Sequence, residues 1–246
     1  MSEDGRAAVL ASLTRRVREI GAGALGFSGR VVSTGVAAWD RGLVEGGVRA
    51  GAVVEWLVEG IGAGAEGVAL AMVREAMRGG GVLVVVDSAR TVGFAGLMAG
   101  GIDVERILVL RPATEKLALW SVEQALRSRV VAAVWWRVER MRSEEFRRLQ
   151  LAAETGGGIG MLFRDASAQR EKSWAEMRVL VSPRPTRALP ASLGEGGFRR
   201  VGVEILKVRG GRSGATFELE LSDDGSVLRL VSELADPAAG VRPLRA

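Results

Sequence analysis

Residues 51–78 constrain the fold of this chain more than any other stretch. Ala52, Val53, Val54, Trp56, Leu57 and Val58 make an apolar run of strand length, residues 60–67 read Gly-Ile-Gly-Ala-Gly-Ala-Glu-Gly, and Val68, Leu70, Met72, Val73 and Met77 then recur at helical spacing. A strand that enters a glycine-rich bend and leaves as a helix is the framework of a phosphate-gripping loop. Backbone N–H groups at the bend and at the helix N-terminus converge there on an anion.

The side chains that complete such a loop are missing. Gly62 and Gly67 have the G-x-x-x-x-G spacing, but Val68 and Ala69 come next, where a nucleotide loop carries Lys and then Ser or Thr. No ammonium is there to reach terminal phosphates and no hydroxyl to hold magnesium. Glu66 adds an anion where anions would sit. The three lysines, Lys116, Lys172 and Lys207, all lie downstream, so shifting the frame by a few residues does not repair the motif. The sequence reads as a nucleotide-binding scaffold without a nucleotide. Gly62, Gly67, Val68 and Ala69 form a degenerate loop, and no catalytic residue, metal ligand or cofactor is expected.

Composition agrees by exclusion. With Cys 0 and His 0, disulfides, the usual zinc sites, cysteine nucleophiles and histidine bases are all ruled out. The net charge of +5 is carried mostly by arginine and suits an acidic protein or nucleic acid partner, or an arginine-rich proteome. No apolar run approaches the roughly 20 residues that span a bilayer, and no signal-peptide run opens the chain, so a cytoplasmic protein without a membrane partner is expected.

In chain order, residues 4–20 predict an amphipathic helix carrying Val9, Leu13, Val17 and Ile20. Ser33 or Thr34 is expected to cap a short helix that turns Trp39 inward. The runs 82–86, 107–110, 130–136 and 159–163 predict buried strands, and 92–98, 114–128 and 143–154 the helices between them, Thr114 offering half a capping box. Asp87, at the end of its strand, reads as an N-cap or turn residue rather than a magnesium ligand. Trp135 and Trp136 read as one core ring and one edge ring, or as an exposed platform. After a strand over 174–181, Pro183, Pro185 and Pro190 mark a linker. Residues 201–208, 216–221 and 227–231 are β in character, and Thr216 to Leu221 alternate apolar with polar. The division expected is 1–30 (helix and glycine-rich link), 31–182 (core), 183–199 (linker), 200–234 (β-hairpin extension) and 235–246 (tail). The fold class is α/β, a parallel sheet flanked by helices with a C-terminal antiparallel extension.

The succession Ser33-Thr34-Gly35, strand 53–58, glycine bend, strand 82–86 with Asp87, and strand 130–136 resembles the RecA core. The pieces 146–154 (Phe-Arg-Arg-Leu-Gln-Leu-Ala-Ala-Glu) and 203–214 (Val-Glu-Ile-Leu-Lys-Val-Arg-Gly-Gly-Arg-Ser-Gly) resemble the ImuA family of RecA-like accessory proteins in damage-induced mutagenesis. The likeness spans roughly residues 30–235. It implies a non-catalytic adaptor in SOS-induced translesion synthesis, working with an ImuB-type Y-family polymerase homologue and an error-prone polymerase. RecA, and DNA weakly or indirectly, are further candidate partners. Ala89 stands at the position matching RecA's catalytic glutamate, and Arg137 where a strand-ending acid would help hold metal. RecA's DNA-contacting loops fall near Met141 and residues 164–172, where this chain is short. Lys207 and Arg209 fall where RecA carries basic residues that reach a neighbour's nucleotide, so Lys207, Arg209 and Arg212 are the interface residues the likeness singles out. Three alternatives stay open: an ATPase with an atypical loop, a SulA-like division inhibitor sharing this degenerate core, and a direct DNA-binding module.

Overall fold

The computed structural model describes residues 29–60, 62–185, 198–209, 211, 213–222 and 228–234. The helix expected over 4–20, the tail from 235, most of the linker and Arg212 lie outside these residues. Eleven strands are described: β1 (Val31–Val32), β2 (Val48–Arg49), β3 (Val53–Val58), β4 (Val82–Val86), β5 (Ile107–Leu110), β6 (Val131–Arg137), β7 (Ile159–Asp165), β8 (Met177–Arg184), β9 (Phe198–Val208), β10 (Thr216–Ser222) and β11 (Leu228–Leu234). Five helices accompany them: α1 (Ala37–Arg41), α2 (Ala65–Met77), α3 (Phe94–Ala99), α4 (Glu115–Arg127) and α5 (Ser143–Gly156).

Nine strands form one sheet in the order β11-β10-β9-β8-β3-β7-β6-β4-β5, and β1 pairs with β2 apart from it. From β5 to β8 neighbours are parallel, and from β8 to β11 they are antiparallel. The glycine-bend strand β3 lies in the interior, between β7 and β8. Its six residues are all buried, which explains an apolar run with no polar alternation.

Alternation still decides which face each residue serves. Val54, Trp56, Met161, Phe163 and Trp135 share one core with α2 and Trp39, while Val53, Leu162, Val134 and Trp136 share the other with α4 and α5. Trp135 and Trp136 are therefore both buried, on opposite faces. Because helices cover both sides of β6, neither ring is an edge ring or a platform. Trp135 packs on Phe163 with ring centroids 4.3 Å apart.

Three local expectations change. Ser33 and Thr34 do not cap α1; both hydroxyls donate to the Asp40 carboxylate instead. Trp39 does turn fully inward, against Phe217 and Trp56. Strand β8 starts at Met177 and runs through Pro183 to Arg184, so the linker boundary at 183 falls inside a strand. Pro183 is tolerated because β3 pairs with β8 only as far as Val181, and the missing N–H faces the side with no partner strand. The three β segments expected at the C-terminal end are β9, β10 and β11, but they make two successive antiparallel hairpins rather than one, and they continue the main sheet, starting from Phe198. Thr114 caps α4 as expected, accepting a hydrogen bond from Leu117 N at 3.2 Å. No helix among the described residues is long and apolar enough to cross a membrane.

Candidate functional site

Strand β3 ends at Val58 and α2 begins at Ala65, so the glycine bend sits at the carboxyl edge of the parallel strands, where α/β sheets bind ligands. Gly60, Gly62 and Gly64 all take positive φ, at 84°, 74° and 83°. At Gly64 the need for glycine is twofold. A Cβ there would be strained by the backbone and would stand 2.7 Å from Val201 Cγ1 and 3.0 Å from Leu221 Cδ1. Strands β9 and β10 thus close down on the bend, and Leu221 also lies over Gly67.

Helix α2 starts early enough that Gly67, Val68 and Ala69 lie within it. Val68 and Ala69 are fully buried against the sheet. The positions at which a nucleotide loop presents its ammonium and hydroxyl are core positions here. Farther out, Glu66 in the first turn of α2 forms an ion pair with Arg137 at the end of β6. The arginine standing where a strand-ending acid would help hold metal therefore neutralises the acid of the loop. Arg199 donates to Gly62 O at 3.3 Å from the opposite side. Between them lies a cleft of about 330 Å³, with Leu70, Leu97, Trp135 and Leu221 as apolar walls and Glu66, Arg137 and Arg199 among its polar lining.

Asp87 takes the turn role expected of it. Its Oδ1 accepts from Thr91 N at 2.8 Å and Val92 N at 3.4 Å, while Oδ2 has no hydrogen bond and stands 4.0 Å from Arg111 Nε. Ala89 is exposed on the same turn. Among the described residues no three acidic side chains gather as a metal site.

Lys207 and Arg209 lie at the opposite, amino edge of the sheet, so the fold does not bring them to the glycine bend of their own chain. Lys207 pairs in register with Arg178 and donates to Ser173 O at 2.9 Å. Burial, with Arg178 and Arg209 nearby, holds its ammonium pKa below the usual lysine range. Arg209 stands 3.7 Å from Glu176, and most of its side chain is exposed.

One cluster is not anticipated by motif. Glu55, at the centre of β3, is completely buried and accepts from Arg164 Nη1 at 2.9 Å and from Arg178 Nε at 2.6 Å. Arg164 reaches on to Glu171 at 2.6 Å, and Arg178 to the carbonyls of Ala168, Gln169 and Glu171. These bonds clamp the short segment 166–176 onto the sheet. The available signal is a charged residue set in each of three apolar runs, Glu55, Arg164 and Arg178.

A central glycine-bend strand with parallel neighbours on both sides, parallel strands continuing beyond β7 and antiparallel strands beyond β8, defines a RecA-like α/β domain. Consistently, the chain is similar to the crystal structure of the RadB recombinase, with TM-score 0.59 and 14% identity over 79% of this chain and 97% of that one. No family model matches the sequence. Protein ImuA of Caulobacter vibrioides is 32% identical over 171 residues, 65% of this chain and 69% of that protein, with the same figures for the NA1000 and ATCC 19089 strains. The chain belongs to the ImuA family.

Proposed function

We propose that this chain is a non-catalytic RecA-like adaptor in SOS-induced mutagenic translesion synthesis, joining an ImuB-type Y-family polymerase homologue to an error-prone polymerase. Membership in the ImuA family supplies the setting. The observation that carries the non-catalytic part is the state of the glycine bend. Val68 and Ala69 are core residues, and Glu66 and Arg137 satisfy each other at the mouth of the cleft. A triphosphate and its magnesium need an unspent ammonium, a hydroxyl and an acid at these places. A protein built on this frame without them works through its surfaces.

Three measurements test the proposal. Equilibrium binding of labelled ATP with magnesium is expected to be undetectable, and turnover abolished by changes over 62–69 would overturn the reading. Titration of the purified chain against an ImuB-type homologue is expected to give a stable complex. For RecA, the residues to examine are Lys207 and Arg209 at the amino edge, together with Arg212. Arg209→Glu is expected to weaken association with RecA, and its urea midpoint to fall modestly because it sets a second carboxylate beside Glu176.

A further inference from the structure

Leu117 and Trp120 on α4, Leu151 on α5 and Trp174 beside α5 are each more than a third exposed, Trp120 as much as 57%. The core beneath does not require them. Ala118, Val122, Leu126, Phe146 and Leu149 already close it. Helices α4 and α5 both return from the carboxyl edge of the sheet, so they run side by side in the same direction. Glu123 on α4 bridges to Arg148 on α5 and sets their register. Trp120 lies one turn before Glu123 and Leu151 one turn after Arg148, so the two flank this bridge on the outer surface. Arg147 stands 4.8 Å over the Trp174 ring, whose Nε1 donates to Ser143 Oγ at 2.8 Å.

Exposed charges of both signs border this crest, Lys116, Arg127, Arg147 and Arg148 against Glu115, Glu144 and Glu154, and the cations hold a narrow majority. Arg127 and Arg148 both draw on Glu123, a single carboxylate that is nearly buried, and Arg147 adds a third guanidinium. Tryptophan and arginine exposed together are the residue types that anchor protein interfaces. A shallow groove between two parallel helices accepts a third helix.

We propose that the outer face of α4 and α5 is a docking surface for an acidic amphipathic helix of the polymerase-type partner, seated on Trp120 and Leu151 with its carboxylates toward Arg127, Arg147 and Arg148. The ownership of that helix rests on the adaptor reading above; the chemistry of the surface does not.

The test uses the full chain and the variant Trp120→Ala/Leu151→Ala, whose urea midpoint is expected to match wild type because both side chains are exposed. Two probes are titrated: an ImuB-type homologue, and a synthetic helical peptide of about three heptads with a leucine seam and glutamate flanks. Wild type is expected to bind both, more weakly as salt rises, and the variant to bind at least about tenfold more weakly. A lysine-flanked peptide is expected not to bind. Equal binding of the homologue by wild type and variant overturns this surface and leaves the adaptor reading standing. Failure of wild type to bind the homologue overturns the adaptor reading, and the acidic peptide then decides the surface alone: no binding, or binding unchanged in the variant, overturns it.

Discussion

Replacing Glu55 by glutamine separates the charge at the centre of the sheet from its shape. The carboxylate holds Arg164 and Arg178 at 2.9 and 2.6 Å in a fully buried site, so Glu55→Gln leaves two guanidiniums close together with their shared counter-charge gone. Removing one partner from a buried ion pair costs about 3–5 kcal/mol. The lower end applies here, because Arg164 keeps Glu171 and Glu139 O, and Arg178 keeps three backbone carbonyls. A loss of about 3 kcal/mol corresponds to a fall in Tm of about 6–12 °C for a domain of this size. Urea unfolding followed by tryptophan fluorescence measures it. The apolar triple variant Glu55→Leu/Arg164→Met/Arg178→Leu is expected to fall below wild type as well, because it takes the donors from Glu139 O and from the carbonyls of Ala168, Gln169 and Glu171. A Glu55→Gln variant within about 0.5 kcal/mol of wild type would refute the assignment of Glu55 as the counter-charge of both arginines.

Restoring the motif on paper is expected not to restore the site. Val68→Lys/Ala69→Thr puts an ammonium and a hydroxyl into the core, so the double variant should unfold at lower urea and still bind no ATP by equilibrium dialysis. ATP binding at undiminished stability would show that α2 presents those positions to the cleft. Glu176 is expected to govern a pH dependence, because burial pushes its carboxyl above the usual range, against the pull of Arg209 and Arg49. A raised folded pKa means that the stability this group contributes is full below its unfolded value of about 4.5 and lost as pH rises through the folded value. Glu176→Gln should therefore gain stability over wild type at neutral pH and lose that advantage below about pH 4.5, in urea midpoints measured across the range. An advantage that grew toward acid would contradict the burial argument.

Much of the architecture is legible in the chain because it is written in local pattern. Strands Val82–Val86 and Ile107–Leu110 fall where continuous apolar runs place them, and Thr114 caps α4 from a signal three residues long. The defect of the glycine bend is equally local, since it depends on the two residues after Gly67. Local pattern cannot carry which neighbour each residue meets. Trp135 and Trp136 are adjacent in sequence and end in different cores, because β6 is interior and covered on both faces. Pro183 looks like a break, yet it continues a strand whose other side has lost its partner.

The same division holds for the site. Sequence alone determined that the bend lacks the lysine and hydroxyl of a nucleotide loop, because covalent order fixes the residues next to each glycine. Only the tertiary structure decided that Arg137, seventy-one residues beyond Glu66, closes on it, that Leu221 and Val201 roof the bend, and that Glu55 gathers Arg164 and Arg178 into one buried cluster. Those contacts arise from strand order and register, which place distant segments side by side, and no short window of sequence contains both partners.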